Sequence, residues 1–275
     1  MNSNIRCLIK ACQALNIEYQ ILHSSENLVL IANKYIFTNW ATPLLSHAEY
    51  RLLVDKEYTQ TLFSSVIQMP KTKAYLTPKI DPTSTPQHHF SLYEDIISDF
   101  EKDFSYPLII KRNAGTHGEG VFLVKNKLEA HNAINEIFDE HNKNWDFVAL
   151  VQDYIKTKKE FRVVTLNGKI EVAYLKDISN ATFSGNLSPL HWQGSKAVLI
   201  NSQDIISKLQ NFIAPIFTRL PLTFCGIDVI QDENDKLWMI EINGSPGFDY
   251  FCRDNGDEKI ISLYQKMLKK ILDKI

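Results

Sequence analysis

The stretch LWMIEINGSPG, residues 237–247, combines an apolar run with an acid, an amide and a sharp turn. Residues 237–242 are predicted to form a buried strand, and the glycines and proline that follow are predicted to turn the chain. Glu241 and Asn243 are two positions apart, so their side chains leave a strand on the same face. Because an unpaired buried carboxylate is costly, this face is predicted to meet a cation, a metal ion or a water-filled cleft.

A second β-rich run, residues 224–231, is joined to residues 236–243 by the polar sequence DEND, which predicts an antiparallel hairpin. Two registers of the same parity are open, in which Glu241 lies opposite residue 226 or opposite Asp228. In both registers the two acids share a face, about 4.5 to 8 Å apart. With Asn243 as a third oxygen donor, the set suits Mg²⁺ or Mn²⁺ rather than zinc. The alternative is that both acids lie on a solvated face, and their apolar neighbours do not decide between the two.

The sequence LIIKRNAGTHGEGVFLV, residues 108–124, places Gly115, Gly118 and Gly120 between two strand-like runs. A Walker A loop or a Rossmann fingerprint would open a helix, whereas this chain returns as a strand. The pattern therefore predicts a hairpin loop whose N–H groups can approach a polyphosphate, with Lys111 as a point charge. A surface hairpin with a solvated lysine is the alternative.

The composition is that of a globular protein, with 275 residues of which 44% are hydrophobic. The 30 basic and 32 acidic residues give a net charge of −2, which argues against a general binder of nucleic acid or anionic membranes. No signal-peptide pattern or long apolar run is present, so we expect a cytoplasmic protein. The four cysteines form no CxxC pair, which predicts neither a zinc site nor a disulfide framework.

The periodicity predicts a mixed α/β (α+β) protein that opens with a short α/β segment. Helices are predicted at residues 4–16, 48–65, 92–100, 127–141, 203–219 and 257–273. Strands are predicted at residues 18–22, 28–31, 74–76, 106–111, 121–124, 147–152, 161–166, 169–175, 223–230 and 236–242. Residues 77–89, rich in Pro, Thr and Ser, are predicted to form an exposed connection.

Five motifs follow one another along the chain: VDKEYTQTLF with Lys56, Lys111 with NAGTHGEG, VQDYIKTKKEFRVV at 151–164, GIDVI at 226–230 and IEINGSPG at 240–247. Taken together, they resemble the ATP-grasp superfamily, and the greatest likeness is to RimK-type glutamate ligases, with some similarity to cyanophycin synthetase and bifunctional glutathione synthetases. The resemblance covers roughly residues 45–250. It implies an ATP-grasp fold in which two α/β lobes hold ATP. Residues 1–50 would then be a reduced N-terminal segment and residues 51–275 the ATP-grasp domain, with a small lobe at about 106–152 and a large lobe at about 153–275.

The resemblance also implies roles for individual residues. Arg162 and Lys111 match positions at the reacting phosphate, and Asp228, Glu241 and Asn243 match magnesium ligands. Nucleotide contacts are expected from Lys56, Lys111, Gly115, Thr116, Gly118, Gly120, Gln152, Asp153, Tyr154, Ile155, and Glu160 or its neighbour Lys159. Substrate contacts are expected from Asn186, His191, Ser245, Gly247 and Arg253.

Several of these roles have structural alternatives. Arg162 could instead pair with Glu160 on the surface, Arg253 could form an internal salt bridge, and His191 could belong to a structural turn. The chain also departs from the family pattern in SGNLSPLHWQGS, which keeps Asn186 but lacks the basic and Gly-Gly stretch that usually follows it. The segment before Lys56 is short for the usual preceding substrate domain.

The activity implied by the resemblance is ATP-dependent ligation of a carboxylate to an amine through an acyl-phosphate, with ATP and Mg²⁺ or Mn²⁺ as cofactors. Small-molecule or peptide carboxylates and amines would be the substrates, without nucleic acid or membrane partners and with a possible homodimer. Two other functions remain open on the same nucleotide site. One is a kinase that phosphorylates a small hydroxylated substrate, and the other is a protein that binds ATP without turnover.

Overall fold

The computed structural model describes residues 1–80 and 90–272, so part of the predicted connection at 77–89 lies outside the described residues. The helices are α1 Ser3–Leu15, α2 His47–Val54, α3 Lys56–Phe63, α4 Tyr93–Phe100, α5 Lys127–Phe138, α6 Gln203–Arg219, α7 Asp249–Asn255 and α8 Glu258–Leu272. The strands are β1 Tyr19–Ile21, β2 Leu28–Ile31, β3 Tyr35–Thr38, β4 Thr72–Leu76, β5 Leu108–Arg112, β6 Val121–Val124, β7 Val148–Asp153, β8 Thr157–Leu166, β9 Lys169–Asp177, β10 Lys196–Leu199, β11 Phe224–Asp232 and β12 Leu237–Asn243.

The strands of the described residues form three antiparallel sheets. Their orders are β1-β2-β3, β4-β7-β5-β6 and β10-β9-β8-β11-β12. The four-stranded sheet packs against α4 and α5 around a core that includes Ile97, Ile134 and Val151. It forms one lobe of the molecule, and the five-stranded sheet forms the centre of the other.

Both faces of the five-stranded sheet are covered. One face packs on α6 and on the α2–α3 region through residues such as Ile213, Ile227 and Phe63. The opposite face packs on α1, α7, α8 and the three-stranded sheet. Leu8 of α1 and Leu268 of α8 belong to this same core, so the N-terminal segment shares its hydrophobic interior with the C-terminal helices.

Several predicted boundaries were wrong. The helix predicted at 48–65 is two helices, because Asp55 ends α2 in an extended conformation and its side chain accepts a hydrogen bond from the N–H of Tyr58 as the N-cap of α3. Strands β3 and β10 and helix α7 were not predicted; each is short, and β3 and β10 have four residues apiece. Helix α5 ends at Phe138 rather than at 141.

A β-bulge in the β11–β12 hairpin determines where Glu241 points. Val229 pairs with Met239, but Asp228 pairs with Glu241, so Ile240 is an extra residue on β12. Met239 belongs to the core on the α6 side. Without the bulge, strict alternation would place Glu241 on that same core face. The extra residue instead turns Glu241 and Asn243 to the other face, opposite Asp228. The pairing of Asp228 with Glu241 was one of the two predicted. Near the turn, however, Gln231 pairs with Leu237, one position away from either predicted register, and the bulge then shifts the pairing by one residue to bring the two acids together.

None of the helices in the described part of the chain combines the length and apolar character that a membrane crossing needs. The four cysteines are free thiols.

Candidate functional site

A cleft lies between the four-stranded sheet and the end of the β11–β12 hairpin, and α2 and α3 form one side. Its wall carries Lys111, Leu150 and Gln152 from the four-stranded sheet and Glu241 and Asn243 from β12. The other lining residues are Tyr50, Leu53, Val54, Lys56, Thr59, Gln60, Met69, Thr72, Gly115, Thr116, Ile240, Ile242, Gly244 and Ser245. Polar groups on both sides of an otherwise largely apolar cleft are typical of a site for a small molecule.

Two lysines reach this cleft from different elements. Lys111 on β5 is buried, and its Nζ donates to Oε1 of Gln152 at 3.0 Å. Burial and the nearby charge of Lys56 lower the pKa of Lys111 to about 8. Lys56, the first residue of α3, donates to the carbonyl oxygens of Gly115 at 2.8 Å and Asn113 at 3.2 Å, and its Nζ lies 3.9 Å from Oε2 of Glu241. The cleft therefore has two cationic groups that can neutralise the charge of a polyphosphate, and one of them lies beside Glu241.

The acids belong to a buried network of opposite charges. Asp228 accepts a bidentate pair from Arg162, with Nε 2.5 Å from Oδ1 and Nη2 2.9 Å from Oδ2. Nζ of Lys176 lies 3.0 Å from Oδ1 of Asp228 and also donates to Glu160. All four side chains project from the same face of the sheet, because Arg162 pairs directly with Asp228 and Glu160 is two residues before Arg162. Two cations and two carboxylates thus make the network neutral.

The position of each carboxyl in the network sets the direction of its pKa shift. Burial opposes ionisation of Asp228, but Arg162 and Lys176 outweigh it and lower the pKa to about 2. Glu160 shares a single cation with Asp228, so burial is the largest influence and the pKa of Glu160 is raised. Asp228 is therefore the more stable anion of the two.

The donors on this face fit a hard metal ion. Asp228 and Glu241 are directly opposite across the β11–β12 pair, and Nδ2 of Asn243 donates to Oε1 of Glu241 at 2.8 Å. Two carboxylates and one amide oxygen make an all-oxygen set, which suits magnesium or manganese. The metal-ligand roles of these three residues stay a prediction that their shared face supports.

The glycine flap, residues 113–120, connects β5 to β6 and covers one side of the cleft through Gly115 and Thr116. Gly118 and Gly120 have φ of 70° and 67°, a left-handed conformation that glycine adopts without strain. A Cβ on Gly115 would lie 2.3 Å from Nε of Arg112, whose side chain runs beneath the loop. The flap thus uses its glycines both for turning and for close packing on Arg112.

Four other predicted residues lie in two places. Asp153 ends β7, and Tyr154 and Ile155 continue from it as the connection to the five-stranded sheet. Gly247 lies beside the indole of Trp40, where a Cβ would come within 3.2 Å of Nε1. Their contacts with a nucleotide or substrate stay predictions.

Asn186, His191 and Arg253 are already engaged within the protein. Asn186 and His191 contact the flap and α7 rather than the cleft lining. Arg253 is held by Asp254 at 2.7 Å and by the carbonyl of Ser195, which is the internal salt bridge considered as its alternative. Its predicted role in binding a substrate carboxylate has no support from this arrangement.

Lys176 and Asn113 are site residues that the sequence reasoning missed. Lys176 lies one position beyond the Phe161–Leu175 pair, so it is the cross-strand neighbour of Glu160. A register shift between Val164 and Thr165 separates this pair from the turn, so extending the β8–β9 hairpin from its turn would have paired Glu160 with Leu175 instead. Asn113 accepts a hydrogen bond from the N–H of Glu57 at the start of α3 through its side-chain oxygen. No sequence signal indicated that contact, since the two residues are 56 positions apart in the chain.

Comparisons with known proteins agree with this architecture. A family model described as the RimK-like ATP-grasp domain matches residues 71–271. A probable alpha-L-glutamate ligase of Marinomonas sp. (strain MWYL1) is 30% identical over 188 residues, which cover 67% of this chain and 58% of the relative. A probable alpha-L-glutamate ligase of Saccharophagus degradans is 31% identical and is covered over 51% of its length. The chain therefore spans between half and three fifths of these curated relatives.

Solved structures show the same fold at low identity. A RiPP-associated ATP-grasp ligase of Chryseobacterium gregarium, in complex with ADP and a leader and core peptide, aligns with a TM-score of 0.56 and 16% identity over 82% of this chain and 63% of that one. The VanG D-Ala:D-Ser ligase of Enterococcus faecalis aligns with a TM-score of 0.55 and 18% identity over 78% of this chain and 62% of that one.

Proposed function

Because the chain belongs to the RimK-like ATP-grasp domain family, we propose that it is an ATP-dependent ligase that joins a carboxylate to an amine through an acyl-phosphate. The observation that carries this proposal is that Glu241 and Asn243 line the same cleft as Lys56 and Lys111, while Asp228 lies beside Glu241 on the same face of the sheet. Phosphoryl transfer depends mainly on positioning and on neutralising charge. This cleft has the groups for both.

In this proposal each polar group of the cleft has a task. Lys56 and Lys111 bind the phosphates of ATP, and the N–H groups of the glycine flap approach them from above. Asp228, Glu241 and Asn243 hold the metal, and bound magnesium would neutralise charge on the transferring phosphate. Arg162 donates a bidentate hydrogen bond to Asp228, which fixes its guanidinium on the same face, where it would contact the acyl-phosphate.

Exclusion of water is the second requirement, because an acyl-phosphate that meets water is hydrolysed before the amine reacts. The glycine flap covers the cleft and supplies that protection. The relatives named as probable alpha-L-glutamate ligases make glutamate the first amine to test, with free amino acids and peptides as acids. The proposal also includes a boundary after residue 50, between the N-terminal segment and the ATP-grasp domain, and one after about residue 152, between the two lobes. A homodimer is the proposed assembly.

The test is a matrix of acids and amines with the purified protein, ATP and magnesium. A ligase releases ADP when acid and amine are both present, and the product mass equals the sum of the two less one water. A kinase would instead leave phosphate on a hydroxylated acceptor without any amine. Glu241→Gln serves as the inactive variant, and Glu233→Gln, in the exposed turn before β12, serves as its matched control. Failure of every acid and amine pair to consume ATP would refute the ligase.

A further inference from the structure

The tip of the glycine flap is fastened to residues 186–192, which we call the docking segment. Nδ2 of Asn186 donates to the carbonyl oxygen of His117 at 2.8 Å. Gly118 comes so close that a Cβ there would lie 2.3 Å from Oδ1 of Asn186 and 2.9 Å from Cβ of Ser188. The flap and the docking segment therefore meet in a fitted contact rather than passing each other at a distance.

The Asn186 side chain is itself held in place. The side-chain Oδ1 of Asn186 accepts a hydrogen bond from the N–H of Ser188 at 2.7 Å, and the backbone carbonyl oxygen of Asn186 accepts one from Nε1 of Trp192. These bonds leave Nδ2 as the group that reaches the flap. Such support from neighbouring residues is expected where the position of a contact matters.

The ring of His117 makes a second contact with the same segment. Its centroid lies 5.7 Å from that of His191 and 6.2 Å from that of Trp40, both with edge-to-face geometry. His117 has φ of 60°, an uncommon conformation for a residue other than glycine. An unfavourable backbone conformation persists only when surrounding contacts determine it. Those contacts are the two rings, the Asn186 bond and, within the flap, Oγ1 of Thr116, which lies 3.1 Å from Nδ1 of His117.

The docking segment is also joined to the strand of the predicted metal ligands. Nδ1 of His191 lies 3.0 Å from the hydroxyl of Tyr250. Tyr250 is in α7, which follows β12 after the turn at residues 244–247. On the other side of the flap, Gly115 and Thr116 line the cleft. One continuous set of contacts thus links the face of the carboxylates to the tip of the loop that covers them.

We propose that Asn186 and His191 are positioning residues that hold the glycine flap closed through His117, and that this latch decides whether activated acid reaches the amine or is lost to water. The second half of the proposal rests on the ligase function proposed above. The two residues do not need to touch substrate in this role. Their task is to keep Gly115 and Thr116 over the cleft while the acyl-phosphate exists.

Asn186→Asp tests the latch with the least change of shape. The aspartate can still accept from Ser188 but cannot donate to His117, and its charge faces a carbonyl oxygen. Amide hydrogen exchange of residues 113–120, followed by mass spectrometry, should become about fivefold faster, as expected for losing one hydrogen bond. Asn180→Asp is the matched control, because Asn180 is an exposed residue of the same loop and, among the residues that the structure describes, its side chain bonds to Ser179 alone. It should exchange like the wild type.

A second variant keeps the test decisive if Asn186→Asp does not fold. His117→Gly removes the ring contacts, while glycine accepts the φ of 60° without strain. Exchange in the flap should again become faster. Unchanged exchange in the folded variants would overturn the latch, whether or not the protein has ligase activity.

The effect on the reaction is read as ADP released per amide formed. In Asn186→Asp this ratio should rise, while the KM for ATP stays close to that of the wild type because the lysines and the acids are untouched. If hydrogen exchange in the flap became faster while the ADP released per amide stayed at the wild-type value, the latch would not decide whether the acyl-phosphate reacts with the amine or with water. If the wild type makes no amide from any pair, the ligase function fails while the exchange result still stands or falls alone.

Discussion

Replacing Asp228 by asparagine should strongly destabilise the fold, and the reason is the charge balance of its network. Arg162 and Lys176 are balanced by Asp228 and Glu160, all within a buried part of the sheet. Asp228→Asn leaves two cations and one carboxylate. Removing one partner of a buried ion pair costs about 3 to 5 kcal/mol, because the remaining charge keeps its desolvation penalty. For a chain of this size that loss corresponds to a fall in melting temperature on the order of 10 °C.

The compensating change is Lys176→Met in the same chain. The double variant keeps Arg162 and Glu160, so the network is neutral again, and methionine fills much of the space of the lysine stem. We expect the double variant to recover at least half of the lost stability, as measured by thermal and urea unfolding followed by circular dichroism. Asp235→Asn is the control, because Asp235 pairs with Lys158 at an exposed site and its loss should leave the melting temperature unchanged.

Acid unfolding adds an independent check on the same residue. The pKa of Asp228 in the folded protein is about 2, below its ordinary value of 3.8. Ionised Asp228 therefore stabilises the fold above pH 4, and this contribution is lost as the pH falls through about 2. The variant should lack that loss. If Asp228→Asn melted with the wild type, or if the double variant were no more stable than the single one, the neutral network would not be what stabilises this face.

Three further predictions concern the cleft and the packing of Gly226 against Pro246. The affinity for ATP should fall as the pH rises through about 8, because Lys111 loses its charge there; calorimetric titration between pH 6.5 and 9.5 measures this, and an affinity independent of pH would contradict it. Glu241→Gln should lower turnover at least about 100-fold and weaken ATP binding much less, since the lysines remain; full activity would reject the metal assignment. Gly226→Ala should destabilise the protein by about 1 to 3 kcal/mol in urea unfolding, because its Cβ would lie 2.8 Å from Cβ of Pro246; a stability equal to the wild type would show that Pro246 moves away freely.

Much of the architecture could be predicted because local signals and long-range pairing agreed. Alternation and the turn sequence DEND gave the β11–β12 hairpin, and the return of the chain as a strand gave the flap. The wrong helix at 48–65 shows where a local signal was overlooked, since Asp55 is a good N-cap residue inside an apolar pattern. The fold depended on patterns that extend over many residues, and single residues set the boundaries.

The site was less predictable because its details depend on contacts between distant segments. The shared face of Asp228 and Glu241 could be anticipated, but the bulge at Ile240 that produces it could not. The family resemblance also suggested Asn186 and His191 as substrate residues, since they lie where related ligases have an asparagine followed by a basic and Gly-Gly stretch. Their partners in the structure are His117 and Tyr250, which come from a loop and a helix far away in the chain.

The arrangement around Asp228 affects how strongly the binding of ATP and the binding of magnesium depend on each other. A carboxylate is costly to bury alone, and Arg162 and Lys176 both pair with Asp228. A divalent cation that binds Asp228 would weaken the hold of these two cations on it, since it attracts the carboxylate and repels them. The same positive groups would then be available to the phosphates that arrive with the metal. We therefore expect ATP and magnesium to bind with positive coupling, so that calorimetric titration shows tighter ATP binding with magnesium present. Lys176→Met should reduce that coupling. An equal coupling in this variant and the wild type would show that Lys176 takes no part in the exchange.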